Sequence, residues 1–282
     1  MTIKQLAGLG SGVALCLALA STAAADNVTA VTARTISINS IAQNTLDNVR
    51  TQVWYRVRLF ANRSYQVSAW PVDHEQGVDA PVMGLNLFSD DPGTVAAVPA
   101  PTTTSGDLEG SPNNNGDALP VTSLFQPATT GVYKIKVSRT SGGSALNTSI
   151  DVMVRETTLF SPWLSKAAGF EGFIEIHNNT SAAISVNLKG FDATGTLQGA
   201  GLTFSLPSNA TVFKTGADIG VPVNVAAGVV LTHNAAFGAI AGNITTLNGA
   251  NGLSFDSPFT SRDGALMGFP SDSRFDASSL VF

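Results

Sequence analysis

The chain has 282 residues, 44% hydrophobic and only 12% charged, with a formal net charge of −5. It carries no run of basic residues, which argues against nucleic acid and anionic membrane as partners, since both need clusters of Lys and Arg. Its single cysteine, Cys16, excludes a disulfide framework.

The first 25 residues read as a secretory signal peptide. Lys4 precedes an apolar run from about Val13 to Ala20, and Ala23-Ala24-Ala25 offers a small-x-small cleavage site before Asp26. The run is shorter than the about 20 residues that span a bilayer. Leu15 is too large to precede a lipid-modified cysteine. Cleavage removes Cys16 and Lys4, taking the formal charge from −5 to −6. No later stretch has 18 or more consecutive apolar residues, so no transmembrane segment is expected after cleavage. The expected location is secreted, extracellular or at a bacterial cell surface, with the periplasm as the alternative. The remaining chain is long enough to bury one or two cores by itself.

From there the pattern is period two, broken by turn residues, as in half-buried strands. In "QVWYRVRLF" Val53, Tyr55, Val57 and Leu59 share one face, with Arg56 and Arg58 on the other. Residues 90–117 are rich in Pro, Gly, Asn and Asp and read as a long loop. "VYKIKVSR" turns Tyr133, Ile135 and Val137 inward, and "SIDVMVRE" does the same with Ile150, Val152 and Val154. The spacing changes near 156–158. Beyond it, Ile174 and Ile176 precede an Asn-Asn-Thr-Ser turn, then Ile184, Val186 and Leu188, then a tight turn at Asp192–Gly195. "LTFSLPSNATVFK" and "VVLTHNAAFGAIAGNITTL" continue the alternation. Short strands with close turns predict β-sandwiches. The expected division is a signal peptide at 1–25, sandwiches at 26–156 and 157–262, and a polar tail at 263–282.

"WPVDHEQGVDAP", residues 70–81, looks most like a site. Asp73, His74, Glu75 and Asp79 crowd together there, but consecutive residues of an extended strand point to opposite faces. No second His stands at a ligand spacing. A solvated loop is the plain reading, with calcium on Asp73, Asp79, Asp90 and Asp91 as the alternative because oxygen donors from adjacent loops suit that ion. Trp54 and Trp163 are candidates for stacking on sugar rings. His233 shares parity with Val229 and Leu231, which predicts partial burial, and His177 ends a strand. No G-x-S-x-G elbow follows the signal segment, and no His-Glu-x-x-His occurs, so no catalytic residue is assigned. Glu171 and Glu175 stand four strand residues apart, about 13 Å, too wide for glycosidase carboxyls at about 5–9.5 Å. Gly238 and Gly242 read as small residues in a closely packed strand.

Three stretches in order, "VWYRVRLFANRSYQVSAW", "DAPVMGLNLFSDDPG" and "FQPATTGVYKIKVSR", resemble the bacterial pre-peptidase C-terminal domain over residues 30–156. The likeness implies a jelly-roll-like sandwich with an accessory role and brings no catalytic residue. "IHNNTSAAISVNLKGFDATG" and "GLSFDSPF" more loosely resemble immunoglobulin-like modules of bacterial surface proteins. The expectation is an all-β protein of two sandwiches, jelly-roll-like then immunoglobulin-like. Its expected role is structural, adhesive or accessory, and non-enzymatic. The alternative is a module that binds extracellular polysaccharide or a matrix or surface protein, with or without calcium. A secreted hydrolase is the third class.

Overall fold

The structure is a computed structural model that describes residues 27–47, 49–71, 82–89, 102–104, 121–141 and 148–262. The signal segment, most of the 90–117 stretch and the tail lie outside the described residues.

The described chain is almost entirely strand. The first nine are β1 (Arg34–Thr35), β2 (Ile41–Leu46), β3 (Gln52–Leu59), β4 (Tyr65–Pro71), β5 (Val82–Ser89), β6 (Thr102–Thr104), β7 (Val121–Phe125), β8 (Gly131–Ser141) and β9 (Thr148–Glu156). They form two sheets, ordered β1-β3-β8-β5 and β2-β9-β4-β7-β6. All pairs are antiparallel except β1 with β3. The alternation read from sequence holds. Val53, Tyr55, Val57 and Leu59 are buried, as are Tyr133, Ile135, Val137, Ile150, Val152 and Val154, and all join one core drawn from both sheets. Arg56 and Arg58 remain exposed. One expectation needs correcting: Thr102–Thr104, inside the stretch read as loop, pairs with β7 as a short strand.

The second group comprises β10 (Leu159–Ser165), β11 (Glu171–Asn178), β12 (Ile184–Phe191), β13 (Leu197–Leu206), β14 (Thr211–Thr215), β15 (Ala226–His233), β16 (Ile240–Asn248), β17 (Leu253–Pro258) and β18 (Thr260–Ser261). Its sheets are β13-β12-β15-β10-β18 and β14-β11-β16-β17. A second core, which includes Leu164, Ile174, Ile176, Val186, Leu188, Leu206 and Leu231, lies between them. Asn178, which opens the predicted Asn-Asn-Thr-Ser turn, is fully buried; its Nδ2 donates to the carbonyls of Ala182, Leu206 and Pro207.

Glycine is required where backbones meet. Gly199 (φ +69°) and Gly220 (φ +81°) face one another, and a Cβ on Gly199 would stand 2.5 Å from the Gly220 carbonyl oxygen. Gly242 lies against the Glu175 carbonyl, at 2.7 Å from a notional Cβ, and is the closely packed glycine expected. Gly238 is different: it has φ +80° with open space around it, so it serves a turn. Because Gly199 meets backbone, which cannot rotate away, Gly199→Ala should cost about 2–3 kcal/mol. Urea unfolding of the two proteins measures this, and unchanged stability would refute the close approach.

Candidate functional site

The outer face of the β14-β11-β16-β17 sheet carries exposed apolar side chains in a regular arrangement. In β11, Ile174 and Ile176 point into the core, so Phe173, Glu175 and His177 point out. Register decides what lies beside them. Phe173 faces Thr215 on β14 and Thr245 on β16, Glu175 faces Phe213 and Asn243, and Glu171 faces Leu247. Phe213, Phe173 and Leu247 therefore step diagonally across three strands. Diagonal neighbours lie about 7–8 Å apart, within reach of large side chains. Their exposures are 69%, 42% and 39%, so the stripe is open to solvent.

Hydrogen-bonding groups flank the stripe. Thr245 Oγ1 donates to Asp256 Oδ1 at 2.7 Å, and Asn243 Nδ2 reaches the same oxygen at 3.2 Å. His177 Nδ1 lies 2.9 Å from Thr211 Oγ1. The exposed Glu175 carboxylate sits beside both phenylalanines in the register. Rings on a rigid sheet, bordered by amide, hydroxyl and carboxylate groups, can stack on the apolar face of a sugar and hydrogen-bond to its hydroxyls.

The tryptophans fall elsewhere. Trp54 has outward parity on β3, yet it is 9% exposed, with its ring against Phe88 at 5.3 Å and Lys136 Nζ 5.8 Å from its centroid. Its indole is thus covered by neighbours on its own sheet. Trp163 is 38% exposed, beside a register shift between Ser161 and Leu164 that leaves Pro162 and Trp163 both outward. Asp73, His74, Glu75, Asp79, Asp90 and Asp91 lie outside the described residues. Among the described residues, no group of three or more His, Cys, Asp or Glu is disposed to hold a metal ion. Nor, among them, is any helix long and apolar enough to cross a membrane.

His233 is buried, more deeply than the partial burial its parity predicts, at the joint between the sandwiches. Its Nε2 lies 2.9 Å from the Thr157 carbonyl, and its Nδ1 accepts from the Ala235 N–H at 3.2 Å. These partners require the Nε2–H tautomer. Ser64 Oγ, the nearby hydroxyl, meets the backbone N–H of His233 at 3.5 Å and accepts from Thr157 Oγ1 at 2.9 Å. The imidazole therefore joins two chain segments and does not activate a nucleophile.

No family model matches this chain, and no curated protein does. Among solved structures, the full extracellular region of zebrafish Gpr126/Adgrg6 is similar at 12% identity, over 80% of this chain and 31% of that one, with a TM-score of 0.20. The chain thus spans about a third of that protein's length. The N-terminal CBM22-1-CBM22-2 tandem domain from Paenibacillus barcinonensis Xyn10C is similar at 9% identity, over 79% of this chain and 92% of that one, with a TM-score of 0.21. At such scores neither structure transfers a site.

Burial lowers the His233 pKa from 6.5 to about 4, against smaller opposing effects of its hydrogen bonds to Thr157 and Ala235. A proton on Nδ1 would also set two N–H groups against each other at Ala235. Between those two pH values the unfolded chain binds a proton that the folded chain refuses. This contribution to stability is therefore complete above pH 6.5 and is lost as pH falls toward 4. Between pH 7 and pH 4.5 the native protein should lose about 2–3 kcal/mol more than His233→Gln. Urea unfolding at both pH values tests this; equal losses would contradict it.

Proposed function

We propose that the chain is an exported, non-catalytic protein of the bacterial exterior that binds extracellular polysaccharide through the outer face of β14, β11 and β16. The Phe213–Phe173–Leu247 diagonal with its polar border carries this reading. Each phenylalanine has only two side-chain torsions to fix, so little side-chain freedom is lost on binding. A flat, open face suits a polymer chain better than a small substrate, which enzymes enclose. The signal-like start supports export. The resemblance of residues 30–156 to the pre-peptidase C-terminal domain supports an accessory or adhesive role for the first sandwich, and the looser immunoglobulin-like resemblance supports the same for the second. Wherever the molecule works, binding by stacking needs neither a metal nor a nucleophile.

The test is retention on a panel of insoluble polysaccharides. Each ring contributes roughly 1–1.5 kcal/mol, so Phe173→Ala/Phe213→Ala should weaken binding about 30- to 150-fold. Both side chains are solvent-facing, so circular dichroism and melting should be little changed. Equal retention by the double variant would sink the proposal, as would retention of neither protein on any glycan.

A further inference from the structure

We propose a second site, in the cleft where the two sandwiches meet, for a carboxylated sugar residue of an acidic polysaccharide, with Lys189 as partner of the carboxylate. The cleft is open to solvent and has a volume of about 320 Å³, at the lower end of the range of small-ligand pockets, and junctions between modules are where such pockets concentrate. One wall comes from the first sandwich: Asn62 and Arg63, in the turn after β3, and Gln126, after β7. The other comes from β12 and β13. Val186 and Leu188 are buried, so period two turns Asn187 and Lys189 outward in a row, and Thr203 stands opposite Asn187 on β13.

Charge selects the ligand class. Arg63 is neutralised by Glu156 at 2.9 Å and stacks over Phe160 at 4.3 Å. Lys189 has no such partner among the described residues: its Nζ donates to the neutral Asn62 Oδ1 at 2.5 Å. That contact bridges the two sandwiches and holds the ammonium at the cleft, leaving two of its three N–H donors for a ligand. The result is a fixed positive charge inside a chain of net charge −5. Asn187, whose Nδ2 donates to Thr203 Oγ1 at 2.6 Å, retains an amide oxygen, and Gln126 adds another amide. Neutral donors and acceptors around one cation match a ring that carries several hydroxyls and one carboxylate. An acidic peptide fits less well. β12, which carries Asn187 and Lys189, is paired on both sides, with β13 and β15, so the strand beside the ammonium has no free edge to capture extended backbone; the sheet's free edge is that of β13, one strand away.

The experiment is calorimetric titration of the full chain with galacturonate and glucuronate, against galactose, glucose and an acidic pentapeptide. The uronates should bind, and 0.5 M salt should weaken them. Lys189→Met should lower their affinity at least 10-fold, while Lys189→Arg keeps most of it and Thr203→Val weakens it a few-fold. Arg58→Met, removing a charge from the first sandwich's outer face, should change nothing. Equal binding of neutral sugars, tighter binding of the peptide, full binding by Lys189→Met or no uronate binding at millimolar concentrations would each overturn the site. If Lys189→Met does not fold, Lys189→Arg and Thr203→Val against the neutral sugars still decide. A monosaccharide cannot span both surfaces, so failure here leaves polymer capture by the phenylalanine stripe standing, and the converse holds.

Discussion

The chain has two residues, Thr157 and Thr158, in which to leave one sandwich and enter the next, and both are buried. Their polar groups must find partners inside the protein, since an unpaired buried donor or acceptor costs about 1–3 kcal/mol. Ser64 supplies most of them. Its carbonyl accepts from the Thr157 N–H, its own N–H donates to Thr158 Oγ1, and its hydroxyl accepts from Thr157 Oγ1. His233 closes the set from the second sandwich. Around this joint Arg63 stacks on Phe160, Arg155 lies over Phe237 at 4.4 Å, and the Phe237 N–H donates to Gln66 Oε1 at 2.8 Å. A short link with satisfied buried groups allows few relative orientations of the sandwiches, and the cleft at Lys189 exists because that orientation is held.

The outer surfaces of the two sandwiches differ in chemistry although the same alternation builds them. On β3 and β8 the outward positions carry Arg56, Arg58, Lys134 and Lys136, with Trp54 folded under its neighbours. On β14, β11 and β16 they carry two phenylalanines and a leucine with a polar border. The cleft wall belongs to the opposite sheet of that second sandwich, β12 with β13. A polymer on the phenylalanine stripe therefore leaves the cleft open.

Much of the fold was legible because burial follows a local rule. Tyr55, Ile135, Val152, Ile176 and Leu188 were placed in the core by parity alone, and the same rule gave His233 partial burial. Strands that break the rule escaped notice. β2 is largely polar and buries only Ala42 and Leu46, while β10 contains Pro162 and a register shift. Thr102–Thr104 has no apolar alternation to mark it. Trp54 shows the limit of parity: outward by position, it is covered by Phe88 from two strands away in its sheet.

The sequence by itself determined which side chains would be wet and which dry, because strand geometry repeats every two residues wherever a sheet has one buried face. It also determined where Gly195 turns the chain and how little charge the surface carries. Only the tertiary structure decided which outward residues would be neighbours. Phe213 and Phe173 are forty residues apart in the chain and join through the pairing of β11 with β14, and Asn62 meets Lys189 across the joint. Pairing between distant strands is selected by the packing of both cores at once, and no local window of sequence contains that information.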